Sequence, residues 1–398
     1  MTSSRRGHPL DNISLGKIVQ IRERLLKAQA AGREVFRFES GDPDFSIAPN
    51  VLKALEVAAE SGKTHYIPNN GIPELRKALA KKVRELNRVP ATEDDVFVTN
   101  GAMHGLYVTF QALLEPGDEV IVPEPMWTEV VENIRLAGGV PVPVKLEPSE
   151  GYRYAPERIA AKITPRTKAI FSNTPHNPTG AVASRADLEA IRDLAVSRDL
   201  WILSDEAYED VIFAPNVHVS LGSLVPENYN KVVSVFSFSK SHAMSGLRVG
   251  YLVCREPVFK DRVPKALRCT INGVNSVAQW TALAAVSGDR AHLEYMRDEY
   301  LKRRDLLMAA LDGIPGLKPF RAQGTFFLWA EVDPSMLARL GVKSVDELSN
   351  RLAEAGLGSS PGDAFGESCE NAIRFAFSCS TKMIQEGAPK LRAFLLGR

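Results

Sequence analysis

The chain has 398 residues, 44% of them hydrophobic and 24% charged, with a formal net charge of +1. That length allows a large domain with a smaller companion, and the near-neutral balance gives no global field for nucleic acid or an anionic membrane surface. No apolar run approaches the roughly 20 residues of a bilayer span, and the opening MTSSRRGHPLDNISL has no apolar stretch behind its arginines that would make it a secretory signal.

In chain order, residues 15–31 carry apolar positions at helical spacing and predict a helix ending near Gly32. VFRFESGDPDF reads as a short strand running into a turn, and residues 50–61 and 72–87 as amphipathic helices. From there strand-like and helical stretches alternate: DVFVTN (95–100), a helix over 103–114, DEVIVPEP (118–125), KAIFSNTPHNPTG (168–180), and a charged helix over 184–198. The strands LWILSDEAY (200–208) and KVVSVFSFSK (231–240) follow. Such alternation predicts the α/β class, with a parallel sheet covered by helices on both faces. Residues 281–313 then read as long helix broken near Gly288, followed by a strand GTFFLWAEV, a helix VDELSNRLAEAG and a strand AIRFAFS. We therefore divide the chain into an N-terminal segment (1–47) packing with a small α+β domain (286–398), and a large ligand-binding domain (48–285).

Ligands of open parallel sheets bind beyond the carboxyl ends of the strands. The polar residues expected there are Asn100 with Gly101, Asn177, Asp205, Tyr208, Ser237 and Lys240. A nucleotide-hydrolase reading of Asp205-Glu206 fails, because SGKT (61–64) lacks the first glycine of a P-loop and has Val57 in its place. The seven histidines have no metal-ligand spacing, so no metal site is expected. The four cysteines, Cys254, Cys269, Cys369 and Cys379, lack CxxC spacing and read as free thiols of a reducing cytoplasm.

One chemistry uses the whole set. A lysine in an apolar cleft beside a second cation, here Lys240 near Arg248, loses basicity and can form a Schiff base with an aldehyde. If the aldehyde is pyridoxal phosphate, Asp205 suits the pyridine nitrogen, and Asn177 and Tyr208 suit the phenolate oxygen. The helix start Gly101-Ala102-Met103, with Ser237 and Arg248, suits the phosphate. Trp127 in PEPMW suits an aromatic plate over the ring.

The motifs GDPDF (41–45), Y-x4-G-x3-LR (66–76), NGAMHGL (100–106), PHNPTG (175–180), DEAY (205–208), SFSKSHAMSGLRVGY (237–251) and AIRFAFS (372–378) span nearly the whole chain. Together they make it resemble the class I/II pyridoxal-phosphate aminotransferases, the aspartate aminotransferase-like fold type I. The resemblance implies a large domain with a mostly parallel sheet plus a smaller α+β domain, and a homodimer whose active sites are shared between subunits. It implies that Lys240 is the Schiff-base residue and acid/base, with Asp205 and Tyr208 as its catalytic companions. Cofactor binding would fall to Gly101, Ala102, Met103, Trp127, Asn177, Asp205, Tyr208, Ser237, Lys240 and Arg248, and to Tyr66 reaching the neighbouring subunit's phosphate. Arg374, the Gly41 region, Trp127 and Asn177 would border the amino acid and 2-oxo acid substrates, exchanged in ping-pong order. Aspartate with 2-oxoglutarate is one substrate pair the resemblance suggests. Met103, however, stands where the prokaryotic aspartate branch carries a lysine, and PHNPTG with His176 resembles the kynurenine and methionine transaminases and the C–S lyases equally well. An aromatic, kynurenine or methionine transaminase, or a C–S lyase, is thus the alternative.

Overall fold

The computed structural model describes residues 9–398; residues 1–8 of the N-terminal segment lie outside the described residues. Seven strands form the larger sheet: β1 (Val96–Thr99), β2 (Glu119–Glu124), β3 (Val140–Lys145), β4 (Thr167–Asn173), β5 (Trp201–Asp205), β6 (Val232–Ser237) and β7 (Gly250–Val253). Their order is β1-β7-β6-β5-β4-β2-β3. Only β7 runs against the others, pairing antiparallel with both β1 and β6. The central strands β4, β5 and β6 are buried along almost their whole length, as their near-continuous apolar runs require of a sheet covered on both faces.

The four strands β8 (Leu317–Pro319), β9 (Phe327–Val332), β10 (Ser360–Pro361) and β11 (Ala372–Ala376) form a smaller antiparallel sheet in the order β10-β11-β9-β8. Its core joins Phe327, Ile373 and Phe375 to Leu307, Leu311 and Leu391 from neighbouring helices, and to Phe36 and Phe38 from the N-terminal part. The helix Lys17–Ala30 packs Ile21 and Leu25 against Ala353 of the helix Val345–Glu354. The long helical stretch after residue 275 is two helices, Ser276–Ser287 and Ala291–Leu311, parted at Gly288. No helix of the described residues is long and apolar enough to cross a membrane.

Two local expectations need correction, and one strand was not expected. VFRFESGDPDF does not form a strand. It makes a single bridge, Phe36 to Leu357, because Phe36 and Phe38 bury into the small sheet's core and turn the backbone away. KVVSVFSFSK does not end as a strand on Lys240: β6 stops at Ser237, and Phe238–Ser241 is one helical turn. The Ser237 hydroxyl caps that turn by accepting from Ser239 N at 3.2 Å, the alternative to ladder bonding that serine offers a backbone. The strand β3, VPVPVK, carries no clear strand signature in the sequence because prolines interrupt the ladder. The structure places it on the sheet edge, where missing N–H groups cost least.

On β7, a side chain at Gly250 would put its Cβ 2.6 Å from Ala102 N and 2.7 Å from Gly101 C. Both neighbours are backbone and have no rotamer with which to give way. Gly250→Ala is therefore expected to lower stability by roughly 1–3 kcal/mol, the scale of overpacking a close-packed interior, read as a lower midpoint in denaturant unfolding.

Candidate active site

A cleft of about 580 Å³ opens where the carboxyl ends of β4, β5 and β6 meet the small sheet. Its lining brings together Gly41, Ala102, Met103, Trp127, Asn177, Asp205, Tyr208, Ser237, Lys240, Arg248 and Arg374. Gly101 stands just behind, at the start of the helix Gly101–Leu113 with φ +77°, and a Cβ there would lie 2.5 Å from Arg248 Nη2. Two expected residues lie outside this cleft: Asn100, exposed ahead of the same helix, and Tyr66, which is 89% exposed.

The helical turn after β6 aims Lys240 back across the strand ends, where Nζ donates to the Gly41 carbonyl at 2.6 Å. Desolvation pulls its pKa down to about 8; Asp42 opposes the shift, and the Arg248 and Arg374 charges add to it. Arg248 itself adopts a left-handed backbone, φ 54°, and donates to the Ser245 carbonyl at 2.8 Å.

Asp205 ends β5 with 5% exposure. Its carboxylate accepts from Ala207 N at 3.1 Å, and burial pushes its pKa up to about 7. The adjacent Glu206 turns away, accepting from Ser204 Oγ and bonding His218 Nε2 at 2.8 Å. Among the described residues no cation offsets the Asp205 charge, and a protonated ring nitrogen would complete it. Tyr208 is buried with its pKa raised by desolvation.

Arg374 is only 3% exposed on the interior strand β11. Nη1 donates to Asn177 Oδ1 at 3.0 Å, and Nη2 to the Glu39 carbonyl and to Ser360 Oγ, both at 3.2 Å. The guanidinium lies over Phe327, 4.1 Å from the ring centre, and 4.7 Å from that of Phe365. Burial lowers its pKa to about 10, and Nε has no partner among the described residues.

Sequence reasoning missed several lining residues. Asn173, the last residue of β4, accepts from Asn177 N at 2.9 Å and donates to the Asp205 carbonyl at 3.2 Å, joining two strand ends. Arg37 pairs with the buried Glu39, Arg22 stands exposed at the rim, and Glu129 follows Trp127 into the cleft. Asn173 could have been found from its strand-end position; the others carry no local signal. His176, by contrast, is buried outside the lining and bonds Thr179 Oγ1 at 2.8 Å.

A mostly parallel sheet with a lysine, a buried carboxylate and an arginine at its strand ends, beside a smaller antiparallel sheet, is the frame of a pyridoxal-phosphate enzyme of fold type I. The residues fit that cofactor on two counts: among the described residues Asp205 lacks a cation, and the side-chain-free Gly101 lets the Arg248 guanidinium lie against the helix start, where a phosphate would meet both. The model of the class I and II aminotransferase family matches residues 33–391. The chain is 37% identical to the aspartate/prephenate aminotransferase of Thermus thermophilus, over 96% of each chain. It is 35% identical to an arginine–pyruvate transaminase of Pseudomonas aeruginosa, over 95% of each. The aspartate aminotransferase of Thermus thermophilus with maleate superposes with a TM-score of 0.91, at 34% identity, over 98% of this chain and all of that one. The chain belongs to the class I and II aminotransferases and is a pyridoxal-phosphate-dependent transaminase.

A lysine amine with a pKa near 8 is half neutral at that pH, whereas an ordinary lysine is almost wholly charged. In cofactor-free protein, the rate of Lys240 modification by an amine-directed reagent, followed by peptide mapping, is expected to rise with a midpoint about pH 8. A midpoint above 10 would show that the cleft does not depress the amine.

Proposed function

We propose that this cleft exchanges amino groups between an L-amino acid and a 2-oxo acid in ping-pong order, with aspartate and 2-oxoglutarate as its acidic pair. The observation that carries this reading is the convergence on one cleft of a lysine of lowered basicity, a buried carboxylate without a cation and a buried arginine. Two relatives named for aspartate support the acidic pair, as do Arg22 and Arg37 on the lining. A relative of similar identity named for arginine shows that identity at this level does not fix the side chain.

When bound, pyridoxal phosphate supplies an aldehyde carbon for the amino group and a conjugated ring that draws electrons from the substrate Cα. Lys240 would hold the aldehyde through Nζ, and as an amine of lowered basicity it would serve as the base that takes and returns the substrate Cα proton. Asp205 would keep the ring nitrogen protonated, and Asn177 and Tyr208 would supply donors for the ring oxygen. Ser237, Arg248 and the helix start at Gly101, Ala102 and Met103 would hold the phosphate, with Trp127 as the aromatic plate for the ring. Arg374 holds the substrate α-carboxylate with its planar fork, beside Asn177 and Gly41. In this reading residues 48–285 carry the cofactor, and 286–398 with the N-terminal segment close over it. The four unpaired cysteines suit a reducing cytoplasm.

Every transaminase substrate carries the α-carboxylate. Arg374→Lys should therefore weaken all of them together, by about 2–4 kcal/mol, the scale for truncating a buried charge pair. The check is kcat/KM for aspartate, phenylalanine and methionine; a loss confined to aspartate would mean that Arg374 reads the side chain.

The exposed Tyr66 suits a residue that completes a neighbouring subunit's phosphate site, and so a twofold dimer. Mixing a Tyr66→Phe chain with a Lys240→Ala chain should then regenerate one intact site per mixed dimer, read as recovered cofactor affinity at Lys240. No recovery in a verified mixed dimer would place Tyr66 within its own chain's function.

A further inference from the structure

The helix Thr128–Leu136 begins at the cleft. Trp127 is its N-cap, and both Trp127 and Glu129 line the cleft. Two bonds fix this helix start to the segment that carries Phe365, the ring beside Arg374: Met126 N donates to the Phe365 carbonyl at 2.7 Å, and the Thr128 hydroxyl donates to the Ala364 carbonyl. Glu129 and Arg374 are thereby close enough for each charge to act on the other.

Glu129 nevertheless has no ion-pair partner among the described residues. Its Oε2 is buried without a hydrogen bond, and burial raises its pKa. Glu132, one turn further on, adds like charge, and its own Oε2 is also buried without a partner. The other acids of the lining are differently placed. Asp42 accepts from Ser245 and faces Lys240, Glu39 is paired with Arg37, and Asp205 is assigned to the ring nitrogen. An isolated carboxylate in a half-dry wall is costly unless a cation meets it. Among the described residues Arg374 acts on Glu129 only through its charge, its own donors being given to Asn177, the Glu39 carbonyl and Ser360, and the wall belongs to the space that substrate enters.

We propose that Glu129 reads the substrate side chain, and that the enzyme accepts, beside its acidic pair, L-amino acids with a cation at the end of a flexible side chain, of the ω-amino or ω-guanidino class. The proposal rests on the placement of the α-carboxylate at Arg374. Glu129 belongs to the helix Thr128–Leu136, Arg22 to the helix Lys17–Ala30 and Arg37 to the segment before Glu39, so acidic and basic side chains would be met by different elements of the lining.

The test measures binding to the cofactor-loaded enzyme by calorimetry, using acids that have no α-amino group and no primary amine to react with the aldehyde: 5-guanidinopentanoate, 6-(dimethylamino)hexanoate, hexanoate and glutarate. Wild-type protein is expected to bind the two cationic acids about tenfold or more tighter than hexanoate, the scale of one hydrogen bond to a charged group. Glu129→Gln should abolish that preference, and Arg374→Lys should weaken all four acids. The kinetic counterpart is the ratio of kcat/KM for L-ornithine to that for its neutral analogue L-norvaline, which Glu129→Gln should lower about tenfold or more. Equal binding of hexanoate and the cationic acids by wild type, or a preference that survives in Glu129→Gln, would overturn the proposal. So would glutarate binding that is lost in Glu129→Gln, since Glu129 would then act as a neutral donor. A preference lost in Glu129→Gln with every affinity unchanged in Arg374→Lys would keep Glu129 as the reader and overturn the Arg374 placement alone.

Discussion

A guanidinium taken out of water must be satisfied where it stands, and Arg374 meets this requirement at the seam between the two sheets. Its acceptors come from three parts of the chain: Asn177 after β4 of the larger sheet, the Glu39 carbonyl near the N-terminus, and Ser360 on β10 of the smaller sheet. None of these segments could move away without stranding a buried charge, at a cost well above that of an ordinary lost hydrogen bond. The larger sheet, the smaller sheet and the course of residues 37–42 thus converge on one cation, beside other ties such as Ala376 N to the Phe38 carbonyl and Ser378 Oγ to the Ser40 carbonyl. Phe327 and Phe365 complete the packing with ring faces, which suits a planar charge better than aliphatic groups would.

Around that cation the cleft sorts its ionisable groups by environment. Burial makes Lys240 a weaker base and Asp205 a weaker acid, so both titrate near neutrality, at about 8 and about 7. Neither shift needs a special partner, because desolvation is the largest cause of each. What distinguishes the two is direction: Lys240 is moved toward the neutral amine that acts as a base, while Asp205 is left short of a positive neighbour. Glu206 is spared this competition because Ser204, Ser220 and His218 hold it on the other side of the strand.

Much of this could be read from the sequence, because the groups that matter sit where regular elements end. Asp205, Ser237 and Gly101 were findable as polar or flexible residues at the edge of apolar runs, and Arg374 from the resemblance of its strand. The rest depends on neighbours distant in the chain. That Lys240 rides a helical turn follows from a hydroxyl cap at Ser237 that composition does not announce. Phe36 and Phe38 look like strand residues but are claimed by a core some 340 residues further along. Glu129 is indistinguishable in sequence from any acid in a helix's first turn, where a favourable dipole is the ordinary explanation. What sets it apart is three-dimensional: a buried Oε2 without a hydrogen bond and no ion pair among the described residues.

The bare backbone contact at Gly250 also bears on how the enzyme measures a molecule. With no side chain between them, β7 and the start of the helix Gly101–Leu113 touch directly. The end of the cleft near Arg248 is thereby locked to the larger sheet, whereas Arg374 belongs to the smaller one. In the proposed arrangement these are the two jaws of a calliper, one on the phosphate and one on the α-carboxylate. The gap they gauge is common to every amino acid joined to the cofactor. Side chains of different length hang outside that gap, so a fixed instrument can admit many of them while still insisting on the same backbone.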